Sequence, residues 1–139
     1  MQPVVNRLME QYGKDVKFVF RHFPLSKQAQ AYPAAEAVEA AGEQGAFWQM
    51  LDGLYAEQKD LGPELFQRKA KELGLDMAAF NASIESHRNK ARIDADLVQG
   101  EQPGVKGTPT FWLNGRLLQP NSAEDLERAI ADAVAQSRP

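Results

Sequence analysis

The chain has 139 residues, of which 43% are hydrophobic and 25% charged, and it carries a net charge of −3. That length and balance fit one domain with a real core, while the weak acidity and the lack of a basic cluster leave no footprint for nucleic acid, and no apolar run approaches membrane-spanning length. The sequence holds no cysteine, which excludes disulfides, thiolate chemistry and cysteine-based metal sites.

Residues 1–13 read as a helix. Val4, Val5, Leu8 and Met9 fall at helical spacing, Tyr12 continues the stripe, and Gly13 suits its end. Pro3 fits a first turn or a kink. The chain opens without a cap residue, straight into the amphipathic stripe, as a cut sequence does. It has no basic region followed by an apolar one, so no signal peptide is expected. Val16 to Phe23 reads as the first strand, with apolar residues at 16, 18, 19, 20 and 23. A segment apolar on nearly both faces suits a central strand covered by helices. Pro24 ends it. His22 is read as a partly buried strand-end histidine rather than a catalytic base.

A helical block follows. Pro33 suits a first turn, and Ala34, Ala35, Ala37, Val38, Ala40 and Ala41 allow close packing. Glu36, Glu39 and Glu43 follow helical spacing and are expected on a solvated face. Gly42 and Gly45 break the helix, and Phe47, Leu51, Leu54 and Tyr55 form the next stripe. Gly62-Pro63 opens a helix with Leu65, Phe66, Ala70 and Leu73 inward and Gly74 as its cap. Asp76 can cap a short helix carrying Met77, Phe80 and Ile84. A last helix, about 87–99, brings Ala91, Ala95 and Val98 to one face and ends at Gly100. Trp48 and the methionines are assigned to the core.

Gly104-Val105-Lys106-Gly107-Thr108-Pro109-Thr110 then leads into a hairpin. A proline here must begin a strand or shape a turn, because it has no N–H to donate. The local sequence by itself favours an ordinary trans proline. Thr110–Leu113, Asn114-Gly115 and Arg116–Gln119 form a β-hairpin signal, since Asn-Gly takes the two positive φ angles of a type I′ turn. Ser122 with Asp125 resembles a capping box for a final helix, whose stripe is Leu126, Ala129, Ile130, Ala133 and Val134. No phosphate-cradling loop, His-Glu-x-x-His or Gly-x-Ser-x-Gly is present, and His22 and His87 make no ligand pair by spacing.

Several stretches together resemble the DsbA-like thiol–disulfide oxidoreductases of the thioredoxin fold. They are Phe23-Pro24-Leu25, Ala34-Ala35-Glu36-Ala37, Gly42-Glu43-Gln44-Gly45-Ala46-Phe47-Trp48, and Gly104 to Phe111 followed by the Asn-Gly hairpin. The resemblance implies an α/β thioredoxin-like fold with its first β-strand missing. It implies one domain over 1–139, with a helical insertion at about 28–100 and the hairpin and final helix at 108–137. It also implies a cis bond at Thr108-Pro109 that turns the backbone of Thr108 outward, so that Gly107, Thr108 and Pro109 bind extended peptide. In that family the loop faces a Cys-x-x-Cys, which this chain lacks, so no catalytic residue, cofactor or metal is expected. Three functions follow: a family member inactive in disulfide exchange, a non-redox module that binds extended peptide, or a self-associating structural protein joined through strand edges. Members of the family usually work outside the cytoplasm.

Overall fold

The computed structural model describes residues 2–24, 29–101 and 110–137, which fall into two compact units: Met1–Phe20 with Val105–Pro139, and Arg21–Gly104. The architecture is the α/β one that the sequence implies, mostly helical with a small sheet.

In the first unit, helix α1 (Gln2–Tyr12), strands β1 (Phe111–Leu113) and β2 (Arg116–Leu118) and helix α7 (Ala123–Ser137) share one core. Leu8 is buried with Leu126, Ile130 and Val134, the i, i+4, i+8 stripe of α7. Val4, Tyr12, Val16, Phe18, Phe111, Leu113 and Leu118 pack around them. Removing each fully buried aliphatic side chain from water contributes about 1.5–3 kcal/mol. The cap of α7 is reciprocal: the Asp125 amide donates to Ser122 Oγ at 3.2 Å, and the Asn121 amide donates to Asp125 Oδ2 at 3.1 Å. The hairpin is antiparallel, with Phe111, Trp112 and Leu113 opposite Leu118, Leu117 and Arg116. Asn114 and Gly115 have φ of 50° and 81°, the left-handed pair that the Asn-Gly turn requires. The inward face of this ribbon joins the core, while the Trp112–Leu117 pair on the other face is 43% and 44% exposed.

The segment expected as the first strand differs. Residues 16–24 form neither helix nor strand. Their burial still alternates with a period of two: Val16, Phe18, Phe20 and His22 are covered, whereas Lys17, Val19 and Arg21 are exposed. The sequence has the pleat of a strand, but a strand also needs a ladder partner. The sheet among the described residues is two-stranded, β1 against β2. His22 is accordingly buried without sitting at a strand end.

Among the described residues, the second unit is a cluster of five helices. They are α2 (Ala31–Gly42), α3 (Phe47–Ala56), α4 (Pro63–Glu72), α5 (Met77–Glu85) and α6 (Lys90–Glu101), with a 3-10 turn over Gln58–Asp60. Small residues let α2 approach its neighbours: Ala35, Ala37, Ala40 and Ala41 are all buried. Met50, Leu51 and Leu54 of α3, Leu65, Phe66 and Ala70 of α4, Phe80 of α5 and Ile93 of α6 complete the interior. Pro63 occupies the first turn of α4, and the Asp76 carboxylate caps α5 by accepting from the Ala79 amide at 3.1 Å. Two expectations on α6 fail. Ala91, Ala95 and Val98 are exposed, and the buried face carries Ile93 and Asp96 instead. The helix also runs through Gly100 to Glu101. A Cβ on Gly100 would lie 2.6 Å from two ring carbons of Phe23, so glycine is needed there for close approach rather than as a terminator.

Candidate functional site

The peptide-binding residues expected from the sequence, Gly107, Thr108 and Pro109, lie outside the described residues, as does the Thr108-Pro109 bond. The most developed polar site among the described residues is a seam along α2, in the second unit. It was not expected from the sequence, which placed Glu36, Glu39 and Glu43 on a solvated face. Glu36 and Glu39 are only 7% and 9% exposed.

At the centre of the seam is His22, itself 4% exposed. Its Nε2 lies 2.7 Å from Glu39 Oε1, and its backbone N–H donates to Asp96 Oδ2 at 3.0 Å. Arg92 Nε donates to the same Glu39 oxygen at 3.1 Å, and Arg21 pairs with Asp96 across 3.7 Å. Two carboxylates, one from α2 and one from α6, thus hold the side chain and the backbone of one histidine. Burial by itself pushes the Glu39 carboxyl up, but the hydrogen bonds and charges of His22 and Arg92 outweigh it and hold the group below the ordinary carboxylate range. An ionised carboxylate only accepts, so His22 Nε2 carries the hydrogen of that bond. Phe47 meets the His22 ring edge-on, with centroids 6.1 Å apart.

The seam extends in both directions along α2. Toward its start, the Tyr32 hydroxyl donates to Asp94 Oδ1 at 2.7 Å. Burial first, and then the Asp94 carboxylate, push that phenol up to about 12. His87 Nδ1 lies 2.7 Å from Glu36 Oε2. Past the end of α2, Glu43 accepts from Ser83, Asn89 and Arg88. Among the described residues, no buried side-chain nitrogen or oxygen lacks a hydrogen-bond partner. A polar network satisfied to that degree rigidifies the helices it joins. No group of three or more His, Cys, Asp or Glu there could hold a metal ion.

Local sequence could not expose this seam, because its pairs join residues 17 to 75 positions apart. One signal was available. Asp96 follows Arg92 by four residues on the helix that carries Ile93, so a charged pair sits beside an apolar position.

The family model described as Thioredoxin matches residues 1–132. The chain belongs to the thioredoxin family. Among curated proteins it is 41% identical over 139 residues to the Na(+)/H(+) antiporter NhaA 3 of Salinispora tropica, covering 99% of this chain and 21% of that protein. It is 38% identical over 139 residues to the Na(+)/H(+) antiporter NhaA 1 of Salinispora arenicola, again covering 99% of this chain and 21% of that protein. It is 38% identical over 112 residues to the Na(+)/H(+) antiporter NhaA of Herminiimonas arsenicoxydans, covering 81% of this chain and 18% of that protein. The chain therefore spans about a fifth of the length of the curated relatives it matches. No solved structure matches it. These relatives bear the antiporter name rather than that of a disulfide oxidoreductase. Among the described residues, no helix is long and apolar enough to cross a membrane.

Proposed function

We propose that this chain is a DsbA-like member of the thioredoxin family that recognises extended polypeptide through the backbone of Gly107, Thr108 and Pro109 and performs no disulfide exchange of its own. One observation carries this reading: a chain matched to the thioredoxin family over residues 1–132 contains no cysteine. Disulfide exchange proceeds by thiolate attack on sulfur, and no other side chain substitutes for the thiolate in that step. What remains is recognition. Extended peptides add to exposed backbone as a further strand, with main-chain hydrogen bonds supplying the affinity.

The antiporter name of the relatives fits this reading as a division of labour. Ion exchange draws on ionisable groups within membrane-spanning segments. We assign it to the other four fifths of those relatives, and polypeptide recognition to the part that this chain resembles.

The test is calorimetric binding of a permanently unfolded, alkylated polypeptide. Thr108→Pro removes one backbone donor and should weaken binding by about tenfold, the worth of one hydrogen bond. Thr108→Ser keeps the donor and should bind like the native chain. Equal loss in both variants, or turnover of a disulfide substrate by the pure protein, would overturn the proposal.

A second reading, self-association, is favoured by the exposed Trp112–Leu117 pair on the outer face of the hairpin. Exposed apolar surface beside a strand edge invites another chain. Light scattering over a dilution series decides it: a concentration-dependent mass supports association, and a constant monomer mass contradicts it.

A further inference from the structure

His87 closes helix α5 in an unusual way. The His87 amide donates to the Ile84 carbonyl at 3.1 Å and the Arg88 amide to the Ser83 carbonyl at 3.2 Å, the paired bonds of a Schellman motif. The position between them is left-handed, and glycine is the residue that ordinarily fills it. Here it is a histidine with φ of 51°. The strained backbone aims the ring at α2, where Nδ1 lies 2.7 Å from Glu36 Oε2. The carboxylate of Glu36 is 8% exposed, and among the described residues His87 is its only partner within ion-pair distance. Glu39, one turn along α2, has Arg92 as a permanent cation, and Glu43 has Arg88. Glu36 has only an imidazole, which is a cation only when protonated.

We propose that His87 and Glu36 form a proton-operated latch that holds the α5–α6 turn against α2. With His87 protonated, the buried Glu36 carboxylate faces a full positive charge across one hydrogen bond. With His87 neutral, the contact is an ordinary hydrogen bond and the carboxylate has no matching cation, a costly arrangement away from water. The other ionic groups of this seam are His22 with Glu39 and Arg92, Arg21 with Asp96, Glu43 just past the end of α2, Arg88 in the turn, and Lys90 and Asp94 on α6, with the Tyr32 hydroxyl on Asp94. Arg88 is engaged by Glu43 and Lys90 by Asp94, so neither compensates Glu36 when the imidazole loses its proton. The latch is therefore closed on the acid side and loosens as pH rises.

Amide hydrogen exchange at Arg88 and Lys90 tests it, because their amides close the turn onto Ser83 and His87. Between about pH 5.5 and pH 7.5, the interval over which histidine changes charge, exchange corrected for its intrinsic pH dependence should rise roughly three- to fivefold in the native chain, the scale of a partly exposed ion pair. His87→Gln keeps a donor without the charge and should flatten that rise. Glu36→Gln removes the carboxylate and should flatten it as well. A flat profile in the native chain, or an unchanged rise in His87→Gln, would overturn the latch. If either single variant fails to fold, the double variant His87→Gln with Glu36→Gln replaces it, and a profile as steep as that of the native chain would again contradict the proposal.

Discussion

Replacing Glu39 by alanine separates the buried seam from the solvated face that the sequence suggested. Substitutions on a solvated face away from special features stay within about 0.5 kcal/mol. The structure gives a different figure. Glu39 is 9% exposed and accepts from both His22 Nε2, at 2.7 Å, and Arg92 Nε, at 3.1 Å. Arg92 keeps its head in water, with its side chain 63% exposed, so its loss is small. His22 is buried and cannot turn to solvent. A buried polar group left without its partner costs about 1–3 kcal/mol, and removing one member of a buried ionic pair costs about 3–5. The expected destabilisation is therefore about 3 kcal/mol. For a unit of this size that lowers the unfolding midpoint by roughly 10 °C or more. Calorimetric or circular-dichroism melts of Glu39→Ala, His22→Ala and the double variant provide the measurement. The two losses should be strongly non-additive, since each single change strands the same contact. A shift within about 0.5 kcal/mol for Glu39→Ala, or additive losses, would refute the reasoning.

The same carboxylate governs behaviour in acid. Its folded-state value is lowered, so the stability it contributes is present above the ordinary carboxylate range and is lost as pH falls through the lowered value. Below about pH 4.3 the native chain should therefore lose stability faster than Glu39→Gln, and parallel melting curves for the two would contradict this. At Gly100, alanine would gain about 1 kcal/mol of helix propensity but would force a Cβ to within 2.6 Å of the Phe23 ring. Overpacking costs about 1–3 kcal/mol, so Gly100→Ala should be net destabilising, and a raised unfolding midpoint would count against the close approach.

Elements with local signals were legible in the sequence. The stripe of α1, the Asn-Gly hairpin, the Asp76 cap and the Ser122–Asp125 cap each depend on residues within a few positions of one another, and the structure reproduces them. Where the outcome depends on distant partners, local sequence does not decide it. Residues 16–23 have a strand's alternation, but pairing is not a local property. On α6, Ala91, Ala95 and Val98 formed an apolar stripe, yet alanine says little about burial. Ile93 has more apolar surface to bury, and Asp96 can join it inside because Arg21 and the His22 amide meet its charge. The α2 carboxylates were misread for the same reason, since their histidine partners lie 17 and 51 residues away. Gly100 shows the converse: a glycine near a helix end reads as a stop until the ring it accommodates is placed.

We propose that this thioredoxin-family chain, which has no cysteine, recognises extended polypeptide at Gly107, Thr108 and Pro109. Amide chemical-shift mapping with an alkylated, permanently unfolded polypeptide tests it most directly, because such a ligand offers backbone but no thiol. Saturable shifts at the Gly107 and Thr108 amides are the expected result. An absence of binding, or shifts centred on another surface, would contradict it.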